Sequence, residues 1–527
     1  MNNWLNLDAR QAFKKLSALK GAFPASGLTA ERVRSCSVRM AAGLMYNYAA
    51  KEADAQVLSA LQELSDEADL TGKFAALYNG EAVNTGENRP ALHHLTRGQL
   101  GGGVSYGGRD ARAFYRAQQD AVAAFARKVH EGAIVNERGE TFAAAVQIGI
   151  GGSDLGPRAA YLALEQWALA RGALKLSARF ISNVDPDDAS AVTAGADLAR
   201  TLFILVSKSG TTQETLANEL FVRDALSKAG LNPARHLVAV TSESSPLAHN
   251  PGYLDSFYID DAIGGRYSST SAVGGAVLSL AFGADAFAAF LKGAHEADAS
   301  AKEPDITRNA ALLDALIGVY ERNVQGYPAT AILPYSQALS RFPAHLQQAD
   351  MESNGKRVNR FGEPLAYRTG PVVFGEPGTN GQHSFYQLLH QGTDVVPLQF
   401  IGFRENQSGR DVPVDGSTSQ RKLAANLAAQ IVAFAEGKAD ADPNKSFPGS
   451  RPSSLIHGER LTPETLGALL AHYENKIMFQ GFLWNVNSFD QEGVQLGKKL
   501  ARQVLSGSMS GALKAYAEIL GICGSCA

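Results

Sequence analysis

The stretch that decides the fold is Phe142-Ala-Ala-Ala-Val-Gln-Ile-Gly-Ile-Gly-Gly-Ser-Asp-Leu-Gly-Pro157. A short apolar run leads into a glycine-rich loop and then into a helix, with Pro157 suited to the first helical turn. Glycines let the backbone approach a ligand, and free N–H groups at a helix start attract anions. The segment predicts a buried strand, a binding loop containing Gly152 and Ser153, and a helix capped by Ser153 or Asp154.

Further short apolar runs alternate with helix-length segments along the chain. Such runs are typical of buried parallel strands, so they predict an α/β fold of mainly parallel sheets with helices on both faces. The predicted strands are Phe142–Ile150, Phe180–Val184, Leu202–Val206, His236–Val240, Ala329–Pro334, Val372–Phe374 and Val396–Ile401. The predicted helices include 110–131, 306–324 and 419–436, and 438–452 is predicted to be a surface loop.

The length of 527 residues is too great for one ordinary core. We expect an N-terminal helical region at 1–115, two α/β domains at 116–285 and 286–505, and a C-terminal tail at 506–527. Within the first region, Ala30–Gln62 has the composition and spacing of helices.

Composition excludes several classes of protein. Hydrophobic residues make up 45% of the chain and charged residues 19%, with a formal net charge of −3, which argues against a nucleic-acid-binding surface. No signal peptide or long apolar segment is visible, so we expect a cytoplasmic protein without a membrane span. Of the three cysteines, Cys523 and Cys526 are interpreted as part of a tail without a redox or metal role.

A second loop, Val206-Ser-Lys-Ser-Gly-Thr-Thr-Gln-Glu-Thr215, also follows a strand and begins a helix. Short hydroxyl side chains and backbone donors suit phosphate oxygens, and the helix dipole adds to the attraction. The spacing of a nucleoside-triphosphate P-loop is absent, so a phosphomonoester is the favoured ligand. The candidate phosphate-binding residues are Ser207, Lys208, Ser209, Thr212 and Thr215.

A dinucleotide-binding site is the main alternative for the first loop. That interpretation requires an acidic residue about 20 residues after the glycines. The nearest acid at a strand end is Asp185, 29 residues beyond Gly156. This late position disfavours a nicotinamide cofactor, and we expect no cofactor and no metal.

Four more segments carry groups able to act in catalysis. Arg266 follows two glycines, although such an arginine is often only a salt-bridge partner. Asp350 and Glu352 precede an Asn-Gly turn, and composition alone favours solvated carboxylates there. His383 is predicted to begin a helix after a glycine-rich loop, where a proton-transfer role and a structural role are both open.

The last segment, Phe489-Asp-Gln-Glu-Gly-Val-Gln-Leu-Gly-Lys-Lys-Leu500, reads as a helix. Spacings of three and four place Gln491, Val494 and Lys498 on one stripe, with Lys499 turned away. An ordinary amphipathic helix with basic residues at its end is the alternative.

Together these segments resemble the glucose-6-phosphate isomerase family, in order over about 350 residues from Gly149 to Lys498. The most specific matches are Ile263–Ser268 and Phe489–Lys498. The segments Asp350–Lys356 and Gly378–Gln387 are also close.

The resemblance implies two sugar-isomerase-type α/β domains and a homodimer in which His383 reaches the partner's site. It implies that Glu352 moves a proton between C1 and C2 of the sugar, that His383 and Lys498 open the ring, and that Arg266 faces the enediolate oxygens. The hydroxyl loop matches the family's phosphate cradle, with Ser153, Gln348 and Gln491 nearby.

One departure from the family concerns Ser269 and Thr270, where many members have a larger apolar pair, so the packing behind Arg266 is expected to differ. The implied reaction is the interconversion of glucose 6-phosphate and fructose 6-phosphate. A non-catalytic sugar-phosphate sensor is the alternative of another class, and activity on mannose 6-phosphate is left open.

Overall fold

The computed structural model describes residues 4–19 and 27–522. Residue contacts divide the chain into two units, 1–488 and 489–527. The first unit contains both large sheets. Cys523 and Cys526, interpreted above as part of a tail without a redox or metal role, lie outside the described residues.

The first sheet is built from the runs that follow the opening motif. Its strands are β5 (Ala144–Ile148), β6 (Ser177–Ile181), β7 (Thr201–Val206), β8 (Leu237–Thr241) and β9 (Ser256–Tyr258). They pair in the order β6-β5-β7-β8-β9, and each of these pairs is parallel. Apolar side chains of β5, β7 and β8 pack into one buried cluster with the helices that cover the sheet.

The second sheet combines strands from distant parts of the chain. Its strands are β1 (Ser37–Arg39), β2 (Met45–Asn47), β10 (Ala329–Tyr335), β11 (Val372–Phe374), β12 (Leu398–Phe403) and β15 (Ser453–Gly458), in the order β1-β2-β15-β12-β10-β11. The pairs β15-β12, β12-β10 and β10-β11 are parallel, and β1 and β2 add an antiparallel edge. Two short hairpins stand apart: β3 (Ser105–Tyr106) with β4 (Arg109–Asp110), and β13 (Pro413–Val414) with β14 (Ser417–Thr418).

Helices flank both sheets, which confirms the predicted α/β fold. Their bounds are α1 (Gln11–Ser17), α2 (Ala30–Ser35), α3 (Ala55–Ala68), α4 (Leu70–Tyr78), α5 (Ala111–His130), α6 (Leu155–Leu169), α7 (Pro186–Ala194), α8 (Gln213–Lys228), α9 (Ala272–Phe282), α10 (Ala284–Ser300), α11 (Ala310–Val319), α12 (Phe342–Leu346), α13 (Gly378–Gln382), α14 (Tyr386–Gln391), α15 (Ser419–Glu436), α16 (Pro463–Leu483), α17 (Gln495–Leu505) and α18 (Gly511–Ile519). Within residues 4–19 and 27–522, no helix is both long and apolar enough to span a membrane.

The helical prediction for Ala30–Gln62 is wrong in its middle. Only α2 and the start of α3 are α-helical there, and 37–47 forms the β1–β2 hairpin with a short 3₁₀ turn between its strands. Tyr46 of β2 pairs with Ile456 of β15. Long-range pairing with the edge of the second sheet therefore overrides the local helical propensity.

The order of strands in the first sheet creates a binding crevice. The chain passes from β5 to β6 on one side and then returns to β7 on the other side of β5. Ile148 and Leu205 are paired in register, so the loops that follow β5 and β7 start side by side. Such a switch in strand order opens a crevice at the carboxyl ends of the strands, where ligands of open α/β sheets bind. The two loops singled out above are these two.

A buried ionic network joins two helices of the core, α10 and α16. Arg97 donates to both oxygens of Asp298 on α10, at 2.9 and 3.0 Å, and also contacts Glu474 on α16. Asn475 donates to Asp298 at 3.0 Å, and Arg97 Nε donates to Thr270 Oγ1 at 3.3 Å. The network therefore links two core helices to the turn that contains Arg266.

We expect Asp298→Ala to lower the free energy of unfolding by about 3–5 kcal/mol, because it removes one partner of a buried ionic network. The matched control is Asp224→Ala, which breaks an exposed ion pair with Lys228 of 2.7 Å and should cost less than about 1 kcal/mol. Urea unfolding of both variants tests the difference. Equal losses would show that the buried network does not tie the core together.

Candidate functional site

The glycine loop after β5 packs against the turn that contains Arg266. Gly151–Ser153 forms a single 3₁₀ turn, and a Cβ at Gly152 would lie 2.1 Å from the carbonyl carbon of Gly265. A side chain at Gly152 would therefore push the two loops apart. The helix after the loop begins as predicted, but Asp154 makes no capping hydrogen bond among the described residues and accepts instead from Arg158 Nε at 2.8 Å.

The hydroxyl loop after β7 is organised by its own side chains. Ser207 is buried, and its Oγ donates to Thr212 Oγ1 at 3.1 Å. The exposed Ser209 accepts from the backbone N–H of Thr211 at 3.2 Å. Thr212 immediately precedes α8, and Thr215 lies buried in the first helical turn. The described part of the chain supplies no side-chain cap for this helix, so its first N–H groups remain available to an anion.

Lys208 connects the hydroxyl loop to the segment before Arg266. Its Nζ lies 3.4 Å from Asp261 Oδ1 and donates to the carbonyl of Ile263 at 3.3 Å. The backbone then runs through Gly264 and Gly265 into the turn that contacts the glycine loop. The three predicted loops are therefore neighbours at one end of the first sheet.

Arg266 and Glu352 form the ionic centre of this region. Arg266 Nη1 lies 3.2 Å from Glu352 Oε2, and the arginine is 1% exposed whereas the glutamate side chain is 23% exposed. Arg266 Nε donates to Ser353 Oγ at 2.7 Å, and its Nη2 donates to the carbonyl of Ser488 at 2.6 Å. The guanidinium is thus fixed on several sides, while the Glu352 side chain is partly exposed and its Oε2 atom is buried against the arginine.

Tyr267 supports the same arrangement from behind. Its hydroxyl lies 2.7 Å from Ser353 Oγ, and its ring stacks on His93 with centroids 4.9 Å apart. Burial raises the pKa of the Tyr267 hydroxyl, although the Arg266 charge opposes this shift. The phenol therefore stays protonated and can act as a neutral donor or acceptor toward Ser353.

The turn that contains Glu352 is a π-helix, Gln347–Glu352. Such turns are rare and are often found at functional sites. Gln348 is half-buried on this turn, and a Cβ at Gly151 would lie 3.1 Å from its Nε2. The structure therefore brings together the glycine loop, Arg266, Gln348 and Glu352. The prediction of solvated carboxylates is wrong for Asp350, which is 8% exposed.

His383 lies at the end of α13 and not at the start of a helix, which corrects the prediction. Its side chain is exposed and makes no hydrogen bond among the described residues. The neighbouring Gln382 is anchored through its amide, which donates to the hydroxyl of Tyr335 at 3.0 Å. The structure thus ties this segment to β10 through Gln382 and leaves the His383 imidazole exposed.

Gln491 and Lys498 lie in the second unit. Lys498 and Lys499 are both exposed on α17. Gln491 is not helical, with φ −150° and ψ 46°, and Val494 ends a short 3₁₀ turn before α17. The single helical stripe predicted for Gln491, Val494 and Lys498 is therefore wrong, because the α-helix begins only at residue 495.

Several contacts around the Arg266–Glu352 ion pair were not predicted from the sequence. Ser353 is adjacent to Glu352 and accepts a hydrogen bond from Arg266, yet no sequence motif indicates this contact. Ser488 binds Arg266 through its backbone carbonyl, so its side chain gives no indication of this contact in the sequence.

Among residues 4–19 and 27–522, no group of three or more His, Cys, Asp or Glu side chains forms a metal site.

Comparison with known proteins places this geometry in a known class. The phosphoglucose isomerase family model matches residues 47–516. The chain is 61% identical to the glucose-6-phosphate isomerase of Treponema pallidum (strain Nichols) over 525 residues, covering 98% of each protein. It is 60% identical to that of Treponema denticola over 527 residues, covering 98% of this chain and 99% of the relative. The crystal structure of a glucose-6-phosphate isomerase from Chlamydia trachomatis D/UW-3/Cx matches with a TM-score of 0.91 and 42% identity, covering 98% of this chain and 100% of that chain.

The paired α/β sheets and their loops define a protein of the phosphosugar isomerase fold class. More specifically, the chain belongs to the phosphoglucose isomerase family.

We expect Gly152→Ala to lower the free energy of unfolding by about 1–3 kcal/mol, because the added methyl group would overlap the backbone of Gly265. Gly102→Ala is the control, since a Cβ there meets nothing within 4 Å. Denaturation measures the stability of both variants, and a crystal structure measures the separation of Arg266 and Glu352. A fully stable Gly152→Ala with an unchanged ion pair would contradict the close packing of the two loops.

Proposed function

We propose that the chain catalyses the reversible isomerisation of glucose 6-phosphate and fructose 6-phosphate. The single observation that carries this proposal is the partly exposed Glu352 side chain, whose carboxylate pairs at 3.2 Å with a buried arginine beside the glycine loop. Membership of the phosphoglucose isomerase family supports the same reaction.

Glu352 is the base in the proposed proton transfer. In the open-chain aldose, its carboxylate removes the proton on C2, and the released electron pair forms the C1–C2 double bond of an enediolate. A proton then moves from the C2 hydroxyl to the oxygen on C1, and delivery of the abstracted proton to C1 gives the ketose. The reverse sequence regenerates the aldose. A C–H group beside a carbonyl is a weak acid, so the rate depends on stabilisation of the negative oxygen.

Arg266 supplies that stabilisation. A guanidinium stays charged at any physiological pH and presents planar N–H donors. Because Ser353 and the carbonyl of Ser488 hold it from behind, its charge is already oriented before the reaction begins. A fixed donor has no reorganisation cost when charge develops on the substrate.

The phosphate group anchors the substrate at a distance from the reacting carbons. We assign it to Ser207, Ser209, Thr212 and Thr215, with the start of α8 and Lys208 adding positive potential. Gly152, Ser153, Gln348 and Gln491 complete the proposed binding set. Binding energy gained at the phosphate is used to orient C1 and C2 toward Glu352.

Opening of the sugar ring requires a donor and an acceptor at the hemiacetal. We assign this step to His383 together with Lys498. The exposed imidazole of His383 fits a homodimer in which this residue enters the active site of the partner. A cytoplasmic location is part of the same proposal, because the substrate is an intracellular sugar phosphate.

A coupled assay of fructose 6-phosphate conversion, without added metal or cofactor for the isomerase itself, tests the proposal. Turnover supports an isomerase, whereas tight sugar-phosphate binding without turnover would identify the chain as a sensor. Parallel assays with mannose 6-phosphate measure the range of substrates.

We expect Glu352→Gln to lower kcat by about 10²–10⁴-fold, because the amide cannot accept the C2 proton. Sugar-phosphate binding, measured by calorimetry, should survive. The control is Glu436→Gln, which changes an exposed residue at the end of α15. Wild-type turnover by the Glu352 variant would remove this residue from its proposed role.

We expect Lys498→Ala to lower kcat on cyclic substrate by at least about 100-fold, because ring opening loses one of its two groups. Lys499→Ala provides a matched control, since both lysines are exposed neighbours on α17. Steady-state rates of the two variants are compared directly. Similar losses in both would mean that Lys498 has no specific part in the reaction.

A further inference from the structure

A small polar cavity lies behind the π-helical turn that contains Glu352. Its volume is about 30 Å³, and its wall includes Asp350, Gln399, Tyr473 and Gln480. These residues come from the π-turn, from β12 and from α16. The cavity is separate from the accessible face of Glu352, and the mechanism proposed above makes no use of it.

Four buried oxygen atoms on this wall have no hydrogen-bond partner among the described residues: Asp350 Oδ1, Gln399 Oε1, Gln480 Oε1 and the hydroxyl of Tyr473. The hydrogen bonds made by the side-chain nitrogens fix the orientation of both glutamine amides. Gln399 Nε2 donates to Asp314 Oδ2 at 2.8 Å, and Gln480 Nε2 donates to the carbonyl of Ala315 at 3.3 Å. Each buried group left without a partner costs about 1–3 kcal/mol, so four together require a donor in the cavity.

The size and charge of the cavity identify this donor. A cavity needs about 10–15 Å³ to hold one water molecule, so about two can be accommodated. The same wall carries as many carboxylates as cationic side chains, so it offers a bound cation no excess of negative charge. The carboxylates are Asp314, Glu321 and Asp350, and the cations are Lys51, Arg322 and Lys476. Water supplies the missing donors without adding charge.

We propose that this cavity holds ordered water that links Asp350 to Gln399, Gln480 and Tyr473, and that Asp350 thereby acts as a positioning residue for the turn containing Glu352. Asp350 precedes Glu352 by two residues on that turn. Its water contacts fix the turn to β12 and α16 from behind, while Arg266 holds Glu352 from the front. Displacement of the water would move the carboxylate relative to C1 and C2.

The cations near Asp350 pair with other carboxylates, so the Asp350 carboxyl group needs water as its hydrogen-bond donor. Burial raises its pKa to about 6, which the positive Lys476 on α16 opposes and the negative Asp314 on α11 reinforces. Lys476 Nζ forms an ion pair with Asp314 Oδ2 at 3.2 Å, and Lys51 forms one with Glu321 at 2.8 Å. The nearby cations therefore have partners of their own.

The kinetic part of the test rests on the proposed isomerase activity, whereas the structural part does not. A high-resolution crystal structure of the whole chain is expected to show water within hydrogen-bond distance of Asp350 Oδ1 and of at least one glutamine oxygen. An empty cavity, or a metal ion in it, would overturn the proposal whether or not the enzyme isomerises sugars. Absence of turnover in the wild type would instead count against the proposed function.

Two variants probe the positioning role. Gln480→Met removes one acceptor and fills the site of the water, and Asp350→Asn keeps the shape while removing the charge. We expect each to lower kcat about 10-fold with KM within about twofold, since misplacement of a reacting group lowers the rate of the chemical step. Thr330→Val, which alters the same wall but none of the four oxygens, should retain wild-type kcat. Unchanged kcat in both test variants, or a rise in KM alone, would contradict the role of Asp350.

Discussion

The ion pair between Arg266 and Glu352 is the constraint that organises the rest of the structure. A buried guanidinium is costly unless its donors find acceptors, and here the acceptors come from separate parts of the chain. Glu352 and Ser353 lie on the π-turn, and the carbonyl of Ser488 follows α16. Since Arg266 also packs against the glycine loop through Gly265, the position of one charge depends on both sheets. The fold thereby fixes the distance between a phosphate-binding loop and a carboxylate.

Buried charge recurs throughout the core that supports this pair. Arg97 with Asp298 and Glu474, Lys51 with Glu321, and Asp314 with Lys476 are all withdrawn from water. Such pairs contribute little net stability compared with apolar replacements, but each is costly to break. They restrict the helices to arrangements in which every charge has its partner. We interpret them as the framework that keeps the turns containing Arg266 and Glu352 in register.

The sequence was most informative where local pattern and tertiary structure agree. The apolar runs at Val372–Phe374 and Leu202–Val206 became β11 and most of β7, and 419–436 is a helix as predicted. The loops at the strand ends were also found, because glycine and hydroxyl residues mark them in the sequence. The roles of their individual side chains stay predictions.

Contacts between distant residues were not predictable in this way. The β1–β2 hairpin forms because β15 lies beside it, and no pattern within residues 37–47 predicts that pairing. The polar Ser269–Thr270 pair was recognised as a departure, but its reason is three-dimensional: Thr270 accepts hydrogen bonds from Thr96 and Arg97 in the core. The burial of Asp350 likewise depends on α16, which lies more than a hundred residues away in sequence.

The most direct measurement is a crystal structure of the enzyme with fructose 6-phosphate bound. The account predicts that the phosphate contacts Ser207, Ser209 and Thr212, while the Glu352 carboxylate lies within reach of C1 and C2 and Arg266 faces their oxygens. A sugar phosphate bound with its phosphate away from the hydroxyl loop, or with C1 and C2 beyond the reach of Glu352, would contradict the central claim.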